Sequence, residues 1–163
     1  ITLSTGFAAA IVERGTIRPG VNNLAGQLGF AIYPGTDMTV NQLVAGSGLL
    51  GAASHHGIQT LQDLFDRARK GYPKASEIVT RGQTVLADVI TWIQVLIDPS
   101  VIIFGGMMAL HQREYPKGAL RLLRSKWQEP FPSILDLPSV SFSELGPNSA
   151  LVGAAALAAR KQG

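Results

Sequence analysis

No cysteine occurs among the 163 residues. That excludes disulfides and thiolate zinc sites, and makes a reducing cytoplasm the expected compartment. Charge is sparse: 15% of the residues are charged against 46% hydrophobic, a balance that excludes a disordered chain. The formal net charge is only +3, a modest Lys/Arg excess rather than the footprint of a nucleic-acid binder. No apolar run approaches the ~20 residues that span a bilayer, so no membrane partner is expected. No basic start precedes a long apolar stretch, as it would in a signal peptide. No repeat, low-complexity tract or linker divides the chain. One domain, large enough to bury a core, is the reading that remains for residues 1–163.

Two short runs carry the most information: Ser4-Thr5-Gly6, and Asp98-Pro99-Ser100-Val101-Ile102-Ile103-Phe104-Gly105-Gly106. Each reads as a strand ending in a loop that offers glycine backbone, with hydroxyls added in the first. A strand that stops at glycine lets a ligand approach the amide N–H groups unobstructed. Two such stops in one domain point to phosphates at one and a nucleoside at the other. Taken alone, each is equally a strand end and a tight turn.

Hydrophobic spacing sets the expected elements. Ile1 to Ser4 and Ala8 to Val12 read as strands, with Glu13-Arg14-Gly15 turning into Thr16-Ile17-Arg18. Pro19 to Asn23 is a loop by its turn chemistry, and Leu28 to Tyr33 reads as a further strand. One small-residue helix is expected from about Val40 through Ala53, then a helix capped by Thr60. The longest helix runs from about Ala75 to Ile97. Val101 to Phe104 reads as a strand buried on both faces. Pro116 suits a helical first turn, Ser139 to Phe142 a late strand, and Ala150 to Arg160 a closing helix. Strands first, then helices interleaved with two more strands, describe a layered α/β or α+β domain.

Taken in order, these residues resemble the second half of a ROK protein (repressor, open reading frame, kinase). The resemblance rests on Ser4-Thr5-Gly6 before Ile11-Val12, then Gly20-Val21-Asn22-Asn23-Leu24-Ala25-Gly26-Gln27-Leu28-Gly29. It continues through Asp98-Pro99, Val101 to Gly106, Leu145-Gly146 and Ala150 to Ala155. It implies an α/β fold, a ribonuclease H-like (actin-like ATPase) lobe in which a mixed sheet is packed with helices. The chain would then be the C-terminal lobe of a longer protein whose N-terminal lobe lies upstream.

The activity the resemblance implies is transfer of the γ-phosphoryl group of Mg-ATP to a hexose-type sugar when the N-terminal lobe is present. Ser4, Thr5 and Gly6 would cradle the terminal phosphates, Gly105 and Gly106 would lie against the nucleoside, and Mg²⁺ would offset charge. The family's catalytic aspartate belongs to the upstream lobe, so no catalytic residue is nominated here. Other members pair these lobes with a DNA-binding segment, so nucleic acid is a partner only if such a segment lies upstream. The alternative is therefore a non-catalytic sugar-sensing or oligomerising lobe of a regulator, or a degenerate kinase.

Departures from the family pattern fall on the sugar side. Phe7-Ala8-Ala9-Ala10 stands where glycines usually follow. Gln27-Leu28-Gly29-Phe30 replaces Glu-x-Gly-His, and Asn41 occupies a sugar-contacting glutamate position. Gln27, Phe30 and Asn41 would thus line a reduced sugar pocket. The zinc-binding histidine and cysteine loop are absent, so no zinc is expected.

Three further features read as structural. His55-His56 and His111 lack a third ligand at suitable spacing, so no metal site is nominated. Lys117, Arg121 and Arg124 share one helical face that reads as solvated, and Asp98-Pro99 reads as a corner. The small-residue stretches at Gly46 to Ala53 and Gly153 to Ala159 fit close helix packing and equally a contact between copies, as in a homo-oligomer.

Overall fold

The computed structural model describes residues 1–127 and 138–160. Four two-residue strands open the chain: β1 (Thr2–Leu3), β2 (Phe7–Ala8), β3 (Val12–Glu13) and β4 (Thr16–Ile17). After a long turn-rich segment come α1 (Val40–Val44), α2 (Gly46–Ser54), α3 (Leu61–Arg69) and α4 (Pro73–Ile97). Then follow β5 (Val101–Phe104), α5 (Met107–His111), α6 (Glu114–Trp127), β6 (Ser139–Phe142) and α7 (Ser149–Arg160).

β1 with β2 and β5 with β6 form two two-stranded sheets, set side by side where β1 approaches the end of β5. β1 runs antiparallel to β2 and β5 parallel to β6, while Thr2 bridges Gly105 in parallel. The residues at the ends of β1 and β5 are joined by Gly105 N to Ile1 O at 2.8 Å and Leu3 N to Gly105 O at 2.9 Å, and the Ile1 amine donates to Ile103 O at 2.8 Å. β3 and β4 form a separate hairpin whose two turn residues, Arg14 and Gly15, both have positive φ. That backbone twist is what a two-residue hairpin loop requires.

α4 organises the helical layer. Pro73 suits its first turn, where an amide donor is dispensable, and Asp98 ends it in the left-handed region at φ 49°. Its Val85, Leu86, Val89 and Ile90 are buried, each contributing roughly 1.5–3 kcal/mol over exposure. They share one core with Leu3 of β1, Phe104 of β5 and Leu123 of α6. Tyr115 reaches across this core to donate to Val44 O at 3.2 Å. A Cβ at Gly82 of α4 would sit 2.3 Å from the Tyr115 oxygen, so glycine is what lets the phenol lie there.

Four expectations are corrected. Ala8 to Val12 is not one strand: Phe7–Ala8 pairs with β1 and Val12–Glu13 with β4, with no strand between them. Leu28 to Tyr33 is no strand: Leu28–Phe30 is a single 3-10 turn, and Ile32 makes only an isolated bridge to Thr39. The alternating Leu28, Phe30 and Ile32 imitate a strand pattern, yet Phe30 and Ile32 are exposed and Phe30 N folds back onto Gln27 O. The expected helix from Val40 to Ala53 is two helices, because Ala45 turns extended at ψ 160°. That break lets Gly46 N and Ser47 N donate to Ser4 O and Thr5 O. β5 is buried on one face alone: Ile102 and Phe104 point inward, while Val101 and Ile103 are 42% and 50% exposed. A continuous apolar run fixes the strand but not how many of its faces are covered.

The remaining elements follow the sequence closely. Thr60 caps α3 through its side chain, accepting from Asp63 N at 3.1 Å, an arrangement worth about 1 kcal/mol. Pro116 falls in the first turn of α6, and β6 and α7 occupy the expected places. No helix among the described residues is long and apolar enough to cross a membrane.

Candidate functional site

β1 and β5 run the same way, so the loops that follow them emerge side by side at one edge of the two sheets. In open α/β sheets this carboxyl-terminal edge is where ligands bind. The first loop is fixed through its carbonyls: Gly46 N donates to Ser4 O at 2.8 Å, and both Ser47 N and Ser47 Oγ donate to Thr5 O, at 3.1 and 2.8 Å. Ser4 N donates to Gly6 O at 2.9 Å. None of these bonds uses the Thr5 amide, the Gly6 amide or the Thr5 hydroxyl. Donors are thus left facing outward on a loop whose acceptors are already committed.

A cleft of about 240 Å³ opens beside this loop. Ser4 and Thr5 form one wall, and Met107, Met108, His111 and Gln112 at α5 form the second. Leu61 and Gln62 of α3 close the third side. The lining holds hydroxyls, amides, thioethers and one imidazole but no carboxylate. That chemistry suits an anionic group beside a flat apolar one.

Gly105 and Gly106 stand at the edge of this cleft without lining it. Both backbone groups of Gly105 bond to β1. Gly106 has φ 88°, and a Cβ there would meet Leu3 O at 2.6 Å. The glycine pair therefore lets β5 turn into α5 hard against β1, and this sets where Met107 and Met108 begin.

The sugar-side candidates lie elsewhere. Gln27 is exposed in the turn, and Phe30 is 73% exposed. Asn41 of α1 is engaged internally: its Oδ1 accepts from Phe7 N at 2.8 Å. A Cβ at Gly6 would come within 3.5 Å of that same oxygen, so Asn41 backs the Ser4-Thr5-Gly6 loop. None of the three lines the cleft.

Nearby, Tyr33 donates to Asp88 Oδ2 at 2.6 Å, and Lys126 donates to Asp88 Oδ1 at 2.6 Å. Burial first, then the Asp88 hydrogen bond and charge, push the Tyr33 phenol up to about 12.

His55 and His56 are exposed at the end of α2, and no cluster of three or more His, Cys, Asp or Glu able to hold a metal occurs among the described residues. Lys117 and Arg121 pair with Glu114 on the solvated face of α6. Reasoning from the sequence missed Leu61, Gln62, Met107, Met108 and Gln112 and set His111 aside. The spacing of Met108, His111 and Gln112, three and four residues apart just past the glycine pair, was the usable signal.

Parallel strand ends set side by side, a donor-rich loop and an apolar-backed cleft make this the candidate site of the chain. Comparison with known proteins makes this specific. The chain belongs to the ROK family, whose sequence pattern matches residues 1–161. An N-acetylmannosamine kinase of Shigella boydii is 28% identical over 168 residues, covering 97% of this chain and 55% of that protein. A ROK hexokinase from Thermus thermophilus superposes with a TM-score of 0.81 at 25% identity, over 99% of this chain and 57% of that one. A ROK family glucokinase from Streptomyces griseus, solved with glucose and AMPPNP, gives a TM-score of 0.72 at 21% identity, over 96% and 58%. The chain thus spans little more than half the length of these proteins. The actin-like ATPase fold expected from the sequence is the fold it has.

Proposed function

We propose that this chain is the nucleotide-side lobe of a ROK-type sugar kinase, which transfers the γ-phosphoryl group of Mg-ATP to a hexose-type sugar. One observation carries the reading: backbone bonds hold the ends of β1 and β5 side by side, and the turn after β1 and the start of α5 line one cleft. The Thr5 and Gly6 amides and the Thr5 hydroxyl supply donors for the terminal phosphates, while Met107 and Met108 offer a polarizable wall to the nucleoside. Mg²⁺ arrives with the nucleotide, because the cleft lining has no carboxylate to hold it. In-line transfer is chiefly positioning and charge stabilisation, and this lobe contributes the positioning of the donor. The family match and the kinases among its relatives support the reading.

A second reading is favoured by the exposure of Gln27 and Phe30. On that reading the lobe senses sugar or joins copies without catalysing transfer. Calorimetry of the full-length protein with Mg-ATP and a panel of hexoses separates the two. Heat with both ligands supports the kinase, sugar heat alone supports the sensor, and silence from all overturns both. Thr5→Val, which keeps the side-chain shape but removes the hydroxyl, is expected to weaken Mg-ATP binding about tenfold.

A further inference from the structure

Gln112 is the one buried polar residue of the cleft wall, with 9% of its surface exposed. Its amide direction is dictated from outside the cleft. The Asp66 carboxylate on α3 can only accept, and both its oxygens accept from Gln62 Nε2, at 3.0 Å each. The Gln62 amide is thereby turned with Oε1 toward Gln112, which donates Nε2 to it at 2.9 Å. Reversing either amide would set oxygen against oxygen or nitrogen against nitrogen. Gln112 Nε2 is committed, and no protein donor meets Gln112 Oε1 among the described residues.

The Asp66 carboxyl is held below its ordinary range, first by the Gln62 hydrogen bond and then by Arg69 and Lys70, against the cost of burial. It stays ionised at neutral pH, so the direction of the relay is constant. Polarisation along such a chain strengthens the terminal acceptor. The thioethers of Met107 and Met108 beside it are suited to the face of a flat heteroaromatic ring.

We infer that Gln112 Oε1 is an oriented acceptor for the exocyclic amino group of a nucleobase, with Gln62 and Asp66 as its positioning residues. The cleft then selects a 6-aminopurine nucleotide over one that lacks the amino group. This rests on the nucleotide reading of the cleft and adds to it the side chains that read the base.

The test is calorimetric titration of the full-length protein with Mg-ATP and with the magnesium complex of purine riboside 5′-triphosphate, which differs only in lacking the 6-amino group. The expected result is roughly tenfold to hundredfold tighter binding of Mg-ATP. Gln112→Leu is expected to erase that ratio. Gln62→Leu, at an exposed position, is expected to narrow it by freeing the Gln112 amide to turn. The ratio is a readout that a merely structural role would not move, and Gln62→Leu supplies it if Gln112→Leu does not fold. Equal binding of both nucleotides by the unaltered protein overturns the base assignment and leaves the nucleotide cleft standing. A ratio unchanged in both variants overturns the role of Gln112, and binding of neither nucleotide overturns the cleft as well.

Discussion

The strand-end region and the segment from residue 19 to residue 39 are built on opposite principles. At the strand ends, β1, β5 and the start of α2 are tied by backbone bonds, and Leu3 and Phe104 anchor the loops in the core. Across residues 19–39 only Gly29 is buried; Leu28, Ala31, Tyr33 and Met38 pack partly against the core, and Tyr33 adds its hydrogen bond to Asp88. The first region is preorganised by packing and has little freedom to lose when a ligand arrives. The second presents Gln27 and Phe30 to solvent, where any binding role depends on what comes to meet them.

The contrast can be broken at its strongest point by Gly106→Val. A side chain there meets Leu3 O and requires a left-handed backbone, so a loss of about 3–5 kcal/mol in denaturant unfolding is expected, with nucleotide binding lost alongside. Asn41→Ala addresses the junction of the two regions. Removing the acceptor of Phe7 N should cost about 1–3 kcal/mol and loosen the Ser4-Thr5-Gly6 loop, so that Mg-ATP binding falls with stability. If Asn41 acted only on sugar, stability would be unchanged.

Tyr33 sharpens the second region. Its folded-state value of about 12 lies above its ordinary value of 10.0, so it contributes stability that is whole below about pH 10. That contribution is lost as pH rises through about 12. Denaturant midpoints followed from pH 9 to 12 should fall, and Tyr33→Phe should flatten the fall. Some of it will remain, because burial also raises the Tyr115 phenol. The smallest effects are expected from Phe30→Ser and Gln27→Ala, each within about 0.5 kcal/mol of the parent in stability. A change in hexose binding without a change in stability would place these two side chains in sugar recognition.

Much of the strand-end region was legible in the sequence, because strand-terminating glycines and a long 3.6-period helix are local signals. Val101 to Phe104, the helix to Ile97 and the Thr60 cap all fall where spacing puts them. What was not legible depends on partners distant in sequence. The break at Ala45 exists because Gly46 and Ser47 must reach Ser4 and Thr5. The tight turn at Leu28–Phe30 carries the alternation of a strand without a face to bury. Gln112 gained its place in the cleft from α3, fifty residues earlier, through Gln62. Local periodicity cannot announce a relay between two helices.

On the reading proposed above, the turn after β1 and the start of α5 are two walls of one nucleotide cleft. Amide NMR of the full chain titrated with Mg-ATP tests it residue by residue. Shifts are expected to concentrate at Thr5, Gly6, Met107 and the Gln62 and Gln112 side-chain amides, with Gln27 and Phe30 unmoved. Shifts confined to the Gln27–Phe30 turn, or none in either region, would contradict it.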